Sequence, residues 1–184
     1  MILGFEDPVD ERTEQEDENE ENVNNVETVS ASIGSEQVIN SPITGKVVDL
    51  QEVADGVFSE KLLGEGIAII PSDGKVYAPA SGVMSTVFPT KHAYGITTAN
   101  GADILIHIGI NTVELNGELF VAHVEQDQHV KAGDLIAEFD LEQIKAKGYP
   151  IYTPVIMTNA ASFADVSTLI SGDVKYGEPL INLK

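Results

Sequence analysis

The spacing of apolar runs from Gln37 onward constrains this 184-residue chain more than any other feature. Short stretches rich in β-branched residues recur: Val38-Ile39, Lys46-Val47-Val48, Ile67 to Ile70, Gly82 to Phe88, Ile104 to Ile110, Leu135 to Phe139, Ile151 to Met157 and Pro179 to Leu183. Between them stand turn formers: Pro71-Ser72-Asp73-Gly74, Asn100-Gly101, Lys131-Ala132-Gly133-Asp134 and Ser171-Gly172-Asp173. Glycine supplies a positive φ in such turns, and Asn and Asp tolerate one. Many short strands at close spacing predict an all-β domain, an antiparallel sandwich or barrel with short helical turns. Helix is expected only at Leu141 to Lys147 and Ser162 to Leu169.

The first 35 residues have a different texture. Asp10 to Glu21 is nearly continuous Glu, Asp, Gln and Asn, and residues 1–35 hold 11 acids against a single Arg12. Such a segment repels itself and has nothing to bury, so residues 1–35 read as a disordered acidic tail or interdomain linker and residues 36–184 as the folded domain. The formal net charge is -20. An acidic surface repels nucleic acid and anionic membrane and steers in a basic protein partner. The chain has no cysteine, which excludes disulfides, thiolate metal sites and thiol nucleophiles and fits a cytoplasmic setting. No apolar run reaches the roughly 18 residues of a membrane span, and no signal peptide is visible.

One internal echo is present. Ser41-Pro42-Ile43-Thr44-Gly45-Lys46-Val47-Val48 and Ala78-Pro79-Ala80-Ser81-Gly82-Val83-Met84-Ser85 each place a Pro three residues before a Gly that opens a strand. With His129 to Asp134 this resembles the hammerhead turns of lipoyl and biotinyl domains. The modifiable lysine at a Met-Lys or Asp-Lys hairpin tip is absent, so the echo reads as shared β geometry.

Among the four histidines, His107 stands out inside Ile104-Leu105-Ile106-His107-Ile108-Gly109-Ile110, a run apolar on both faces. A buried histidine is driven toward its neutral form, which keeps one ring nitrogen free as a nucleophile. A hairpin centred on Asn100-Gly101 pairs residues whose numbers sum to about 201, setting His92 opposite Gly109 and close to His107. Two histidines held together suit phosphoryl transfer, which is mostly positioning and electrostatics. They also suit zinc, although zinc takes three or four protein ligands and the His-x-His pair of many zinc hydrolases does not occur. His123 and His129 lie in a polar stretch and read as surface residues.

The stretch from His107 to Gly117, His-Ile-Gly-Ile-Asn-Thr-Val-Glu-Leu-Asn-Gly, resembles the phosphohistidine signature of the glucose-type IIA family of bacterial phosphoenolpyruvate-dependent sugar phosphotransferase systems. The resemblance runs from about Ile39 to Leu183, through Ser41 to Gly45, Gly64 to Ile69, Ala78 to Gly82, Thr90 to Ala93, Val130 to Asp140 and Thr153 to Val155. It implies that His107 is phosphorylated on Nε2, that His92 assists transfer, and that Thr90 orients the second ring. Phe58, Phe88 and Leu105 fall where the family has a hydrophobic collar, and with Asn111 and Val113 they are the residues expected to meet partners. Leu105 departs from the family pattern, where an aromatic is frequent. So does Asn111, where Asp is common, and the change removes a negative charge beside the phosphoryl group.

By the same resemblance, the histidine phosphocarrier protein HPr donates to His107 and a IIB domain accepts. No cofactor or metal is implied. A related possibility is a IIA-like module that regulates a sugar permease through its phosphorylation state. Leu3-Gly4-Phe5-Glu6-Asp7 resembles the exit from the last membrane helix of the IIC domains of sugar permeases. That suggests a domain cut from a multidomain permease and tethered at the inner face of the membrane through an attached IIC domain.

Overall fold

The computed structural model describes residues 36–184, so the acidic tail expected over residues 1–35 lies outside the described residues. Strands dominate: β1 (Gln37–Asn40), β2 (Gly45–Val48), β3 (Glu65–Pro71), β4 (Lys75–Tyr77), β5 (Gly82–Val87), β6 (Ala93–Thr98), β7 (Asp103–His107), β8 (Phe120–Ala122), β9 (His129–Val130), β10 (Leu135–Phe139), β11 (Thr153–Met157), β12 (Val166–Thr168), β13 (Gly172–Val174) and β14 (Pro179–Leu183). Each of the eight runs picked out by spacing holds a strand. One short helix, α1 (Leu141–Ala146), begins where the Asp140 carboxylate accepts from the Gln143 N–H.

The helix expected over Ser162 to Leu169 is a strand instead. Phe163 at one end is buried in the core, and Val166 to Thr168 pairs antiparallel with β14. Asp165 exchanges backbone hydrogen bonds with Lys184. The i, i+3 spacing of Phe163, Val166 and Leu169 imitates a helix, but the ladder with β14 prevails.

All strands pair antiparallel. Eight form one sheet in the order β13-β2-β3-β11-β7-β6-β5-β9, and two three-stranded sheets, β1-β14-β12 and β4-β10-β8, complete the sandwich. The main core includes Ile39, Ile69, Val76, Ile96, Ile104, Ile106, Ile136 and Leu180. Fully burying such side chains stabilises the fold by about 1.5–3 kcal/mol each before the entropy of ordering is counted. A second, smaller core of Val48, Leu50, Val53, Phe58, Ala68, Ile110 and Ile156 lies apart from it. Strand β7 touches both, with Ile104 and Ile106 in the first and Leu105 packed against the second.

The internal echo has a structural basis. Strands β4 to β10 repeat the path of β1 to β3 followed by β11 to β14, so the eight-stranded order reads the same from either end. The hydrogen bonds are reciprocal: Asn40 N–H donates to the Pro79 carbonyl at 2.9 Å and Tyr77 N–H to the Pro42 carbonyl at 2.8 Å. The echo continues in Val130-Lys131-Ala132-Gly133-Asp134 and Val174-Lys175-Tyr176-Gly177-Glu178. In each turn the acid accepts from the backbone N–H of the lysine, at 2.8 Å for Asp134 and 2.7 Å for Glu178. The two halves are a pseudo-twofold pair.

Equivalence of the halves gives a stability test. A Cβ on Gly45 would lie 2.1 Å from the Ile70 carbonyl oxygen, and one on Gly82 would lie 2.3 Å from that of Thr97. The obstruction is backbone in both places, where close strand approach demands glycine. Gly45→Ala and Gly82→Ala are expected to destabilise by similar amounts, roughly 2–4 kcal/mol each, in urea melts. A cost below about 0.5 kcal/mol for either would contradict the equivalence.

Candidate functional site

His107 is the last residue of β7, and His92 immediately precedes β6. The ladder between these strands pairs Ala93 with His107 and Tyr94 with Ile106, so partners sum to 200 rather than the expected 201. The Thr98 N–H donates to the Ala102 carbonyl at 2.9 Å, so three residues rather than two turn the hairpin, and Gly101 takes a φ of +78° among them. His92 thus faces Ile108, whose N–H donates to the His92 carbonyl at 2.7 Å. Strict alternation would send the His92 and Ala93 side chains to opposite faces. His92 lies just outside the strand, however, where the chain has turned through Lys91 at a φ of +56°. That turn brings the two imidazoles edge to face, with centroids 4.8 Å apart and planes at 84°.

Each ring is tethered by one nitrogen. Nδ1 of His107 lies 2.8 Å from the Gly109 carbonyl. A carbonyl only accepts, so Nδ1 carries the hydrogen and Nε2 of the neutral ring keeps its lone pair. Nδ1 of His92 lies 2.7 Å from the Thr90 hydroxyl, which leaves Nε2 of that ring free as well. His92 is buried and His107 half-buried. Burial pushes the His92 pKa down to about 4, and the neighbouring His107 adds to the effect. Burial also lowers the His107 pKa, opposed by the hydrogen bond to Gly109 and by the charge of Asp55.

The apolar surroundings divide between wall and rim. Phe58 is only 6% exposed and packs 5.1 Å from the His107 ring. It is part of the wall. Phe88 is 37% exposed and meets His92 edge-on at 5.5 Å. Leu105, half-buried, packs against the smaller core that includes Phe58. Val113 is 48% exposed, and Asn111 is exposed at a φ of +61°, a left-handed conformation that Asn accepts more readily than most residues. His123 and His129 are exposed. His123 pairs with Glu138 at 2.8 Å. Among the described residues, no three His, Cys, Asp or Glu side chains gather as a metal-binding group.

Asp55 was not legible as a site residue. Its carboxylate accepts from the N–H groups of Val57, Phe58 and Ser59 at 3.2, 2.9 and 3.1 Å. Burial disfavours its charge, but these backbone donors outweigh burial and hold the carboxyl below its usual range. An Asp whose side chain bonds the backbone two residues on makes an Asx-turn, and here it fixes the loop that carries Phe58.

Two tethered imidazoles, edge to face beside an apolar wall, define a paired-histidine site. Residues 37–163 match the family described as phosphoenolpyruvate-dependent sugar phosphotransferase system, EIIA 1. The chain is 46% identical over 154 residues to a β-glucoside-specific EIIBCA component from Halalkalibacterium halodurans, covering 84% of this chain and 24% of that protein. It is 44% identical over 182 residues to a β-glucoside-specific EIIBCA component from Bacillus subtilis, covering 99% and 28%. It thus spans about a quarter of the length of these relatives. Glucose permease IIA from Mycoplasma capricolum superposes with a TM-score of 0.74 at 41% identity, over 81% of this chain and 96% of that one. The chain belongs to the EIIA family of sugar phosphotransferase systems. No helix among the described residues is long and apolar enough to cross a membrane.

The lowered pKa of His92 fixes the sign of a pH effect. Unfolded histidine takes up its proton near pH 6.5 and folded His92 only near pH 4. Between these values the unfolded state holds more protons, so stability is full above pH 6.5 and falls as the pH drops toward 4. His92→Phe is expected to remove up to about 1.4 kcal/mol per pH unit of that slope. Urea melts across pH 4–7 check this, and an unchanged slope would show that His92 does not titrate as described.

Proposed function

We propose that this chain carries a phosphoryl group on Nε2 of His107, taking it from phosphorylated HPr and passing it to a IIB domain during coupled sugar uptake and phosphorylation. One observation carries the reading: a ring whose Nδ1–H is committed to a carbonyl, with a second neutral ring 4.8 Å away. In the forward step, phosphorus leaves the donor's histidine nitrogen and bonds Nε2 of His107. The donor's P–N bond breaks as the new one forms, and the ring proton stays on Nδ1, donated to the Gly109 carbonyl. Transfer to IIB repeats the exchange with His107 as the leaving group.

His92 is the assisting group. Its free nitrogen lies within reach of phosphoryl oxygens on the neighbouring ring, and Thr90 fixes its orientation. Electrostatic help of this kind is typically worth about 10²–10³ in rate. Phe58 excludes water from the P–N bond, while Phe88, Val113 and Asn111, with Leu105 behind them, form the face that partners meet. Asn111 leaves that face one carboxylate short of the common family pattern. Residues 36–184 are the IIA unit. The EIIBCA relatives support a longer chain in which the acidic segment links this unit to IIB and a membrane-embedded IIC domain.

A radiolabel transfer assay with phosphorylated HPr and a IIB domain separates the roles of the two histidines. His107→Gln has no nitrogen lone pair to attack with and is expected to accept no phosphate. His92→Gln is expected to take up phosphate and pass it on about 10²–10³ times more slowly. Acceptance by His107→Gln would overturn the reading. Equal, complete loss in both variants would show that the two rings act as one unit.

A further inference from the structure

The hydrogen bond that fixes the His107 ring depends on a single glycine held in an unusual conformation. Gly109 has a φ of +70°, and on their own its two flanking peptide planes would rotate freely. Neither is free. The plane between Ile108 and Gly109 is held through its carbonyl, which accepts from the Thr112 hydroxyl. The plane between Gly109 and Ile110 is held through its N–H, which donates to the Pro150 carbonyl at 2.9 Å. The carbonyl of that second plane is the acceptor for His107 Nδ1–H. On the near side, Ile108 N–H is tied to the His92 carbonyl.

Of these restraints only one comes from a side chain. Thr112 is wholly buried at the start of the 3₁₀ turn Thr112–Leu115. Its methyl carbon would lie 2.5 Å from a Cβ on Gly109, so the same residue that pins the peptide also forbids any side chain there.

We propose that Thr112 is a positioning residue that selects the nucleophilic tautomer of His107. Its hydroxyl holds the Ile108–Gly109 peptide, the peptide orients the Gly109 carbonyl, and the carbonyl keeps the ring hydrogen on Nδ1. The lone pair is thereby left on Nε2. This rests on the reading that His107 is the phosphoryl acceptor. A hydroxyl is required rather than a branched shape, because valine would fill the same space and leave the Ile108 carbonyl without its donor.

Nitrogen-15 spectra of the histidine rings test the claim without any phosphoryl donor. Wild type is expected to show His107 hydrogen-bearing at Nδ1 alone. Thr112→Val is expected to show a mixture of tautomers, and Thr112→Ser, which keeps the hydroxyl, the wild-type pattern. Phosphate uptake from phosphorylated HPr is expected to slow roughly 2- to 10-fold in Thr112→Val, the worth of one neutral hydrogen bond, and to recover in Thr112→Ser. If Thr112→Val does not fold, Thr112→Ala is read in its place by the same criteria. A pure Nδ1–H tautomer in the variant lacking the hydroxyl, or mixed tautomers in Thr112→Ser, would overturn the proposal. Failure of the parent reading would appear separately, as phosphate uptake by His107→Gln.

Discussion

The hydrogen bond from His107 Nδ1–H to the Gly109 carbonyl is the constraint on which the site depends. Without it the imidazole would distribute its hydrogen between two nitrogens, and the lone pair that the proposed transfer uses would have no fixed place. The bond spans only two residues, so it works only if the chain reverses sharply after β7. Glycine at 109, the left-handed Asn111 and the buried Thr112 together make that reversal. His107 closes the strand half-buried, while Ile104 and Ile106 stay in the main core.

The pseudo-twofold explains where the site falls. Its two halves agree in turn chemistry, glycine placement and strand order, but they differ in the loops that enter β3 and β6. The β2–β3 loop is long and carries Leu50, Val53 and Phe58 into a second core with Ile110 and Ile156. The β5–β6 loop is short and delivers Phe88, Thr90 and His92. Phe58 reaches His107 from the first, and His92 reaches it from the second. The paired imidazoles therefore stand where internal symmetry is broken, on a frame that the symmetric part makes rigid.

Much of this was legible in the residues. The run around His107, the glycine two positions later and the hairpin returning toward His92 all follow from patterns of apolar residues and turns. The register was off by one because a three-residue loop and a two-residue turn both fit Asn100-Gly101, and only the backbone distinguishes them. Phe163 to Leu169 misled because i, i+3 apolar spacing suits a helix and an irregular edge strand alike, and β14 is invisible to local reading. Asp55 and Thr112 went unassigned for a related reason. Each acts on backbone groups of its own loop, and nothing in a sequence says which carbonyl a hydroxyl will find. The burial of Phe58 is likewise hidden from local reading, since it depends on packing with Ile110 and Ile156, far along the chain.

In the proposed transfer, phosphorus bonds Nε2 of His107. The most direct measurement is a nitrogen-15 and phosphorus-31 spectrum of the uniformly labelled, phosphorylated chain, in which one-bond coupling identifies the nitrogen that carries phosphorus. Coupling to Nε2 of His107 is expected, with Nδ1 of the same ring still bearing hydrogen and the His92 ring unmodified. Phosphorus on Nδ1 of His107, on His92 or on an oxygen of any residue would contradict it.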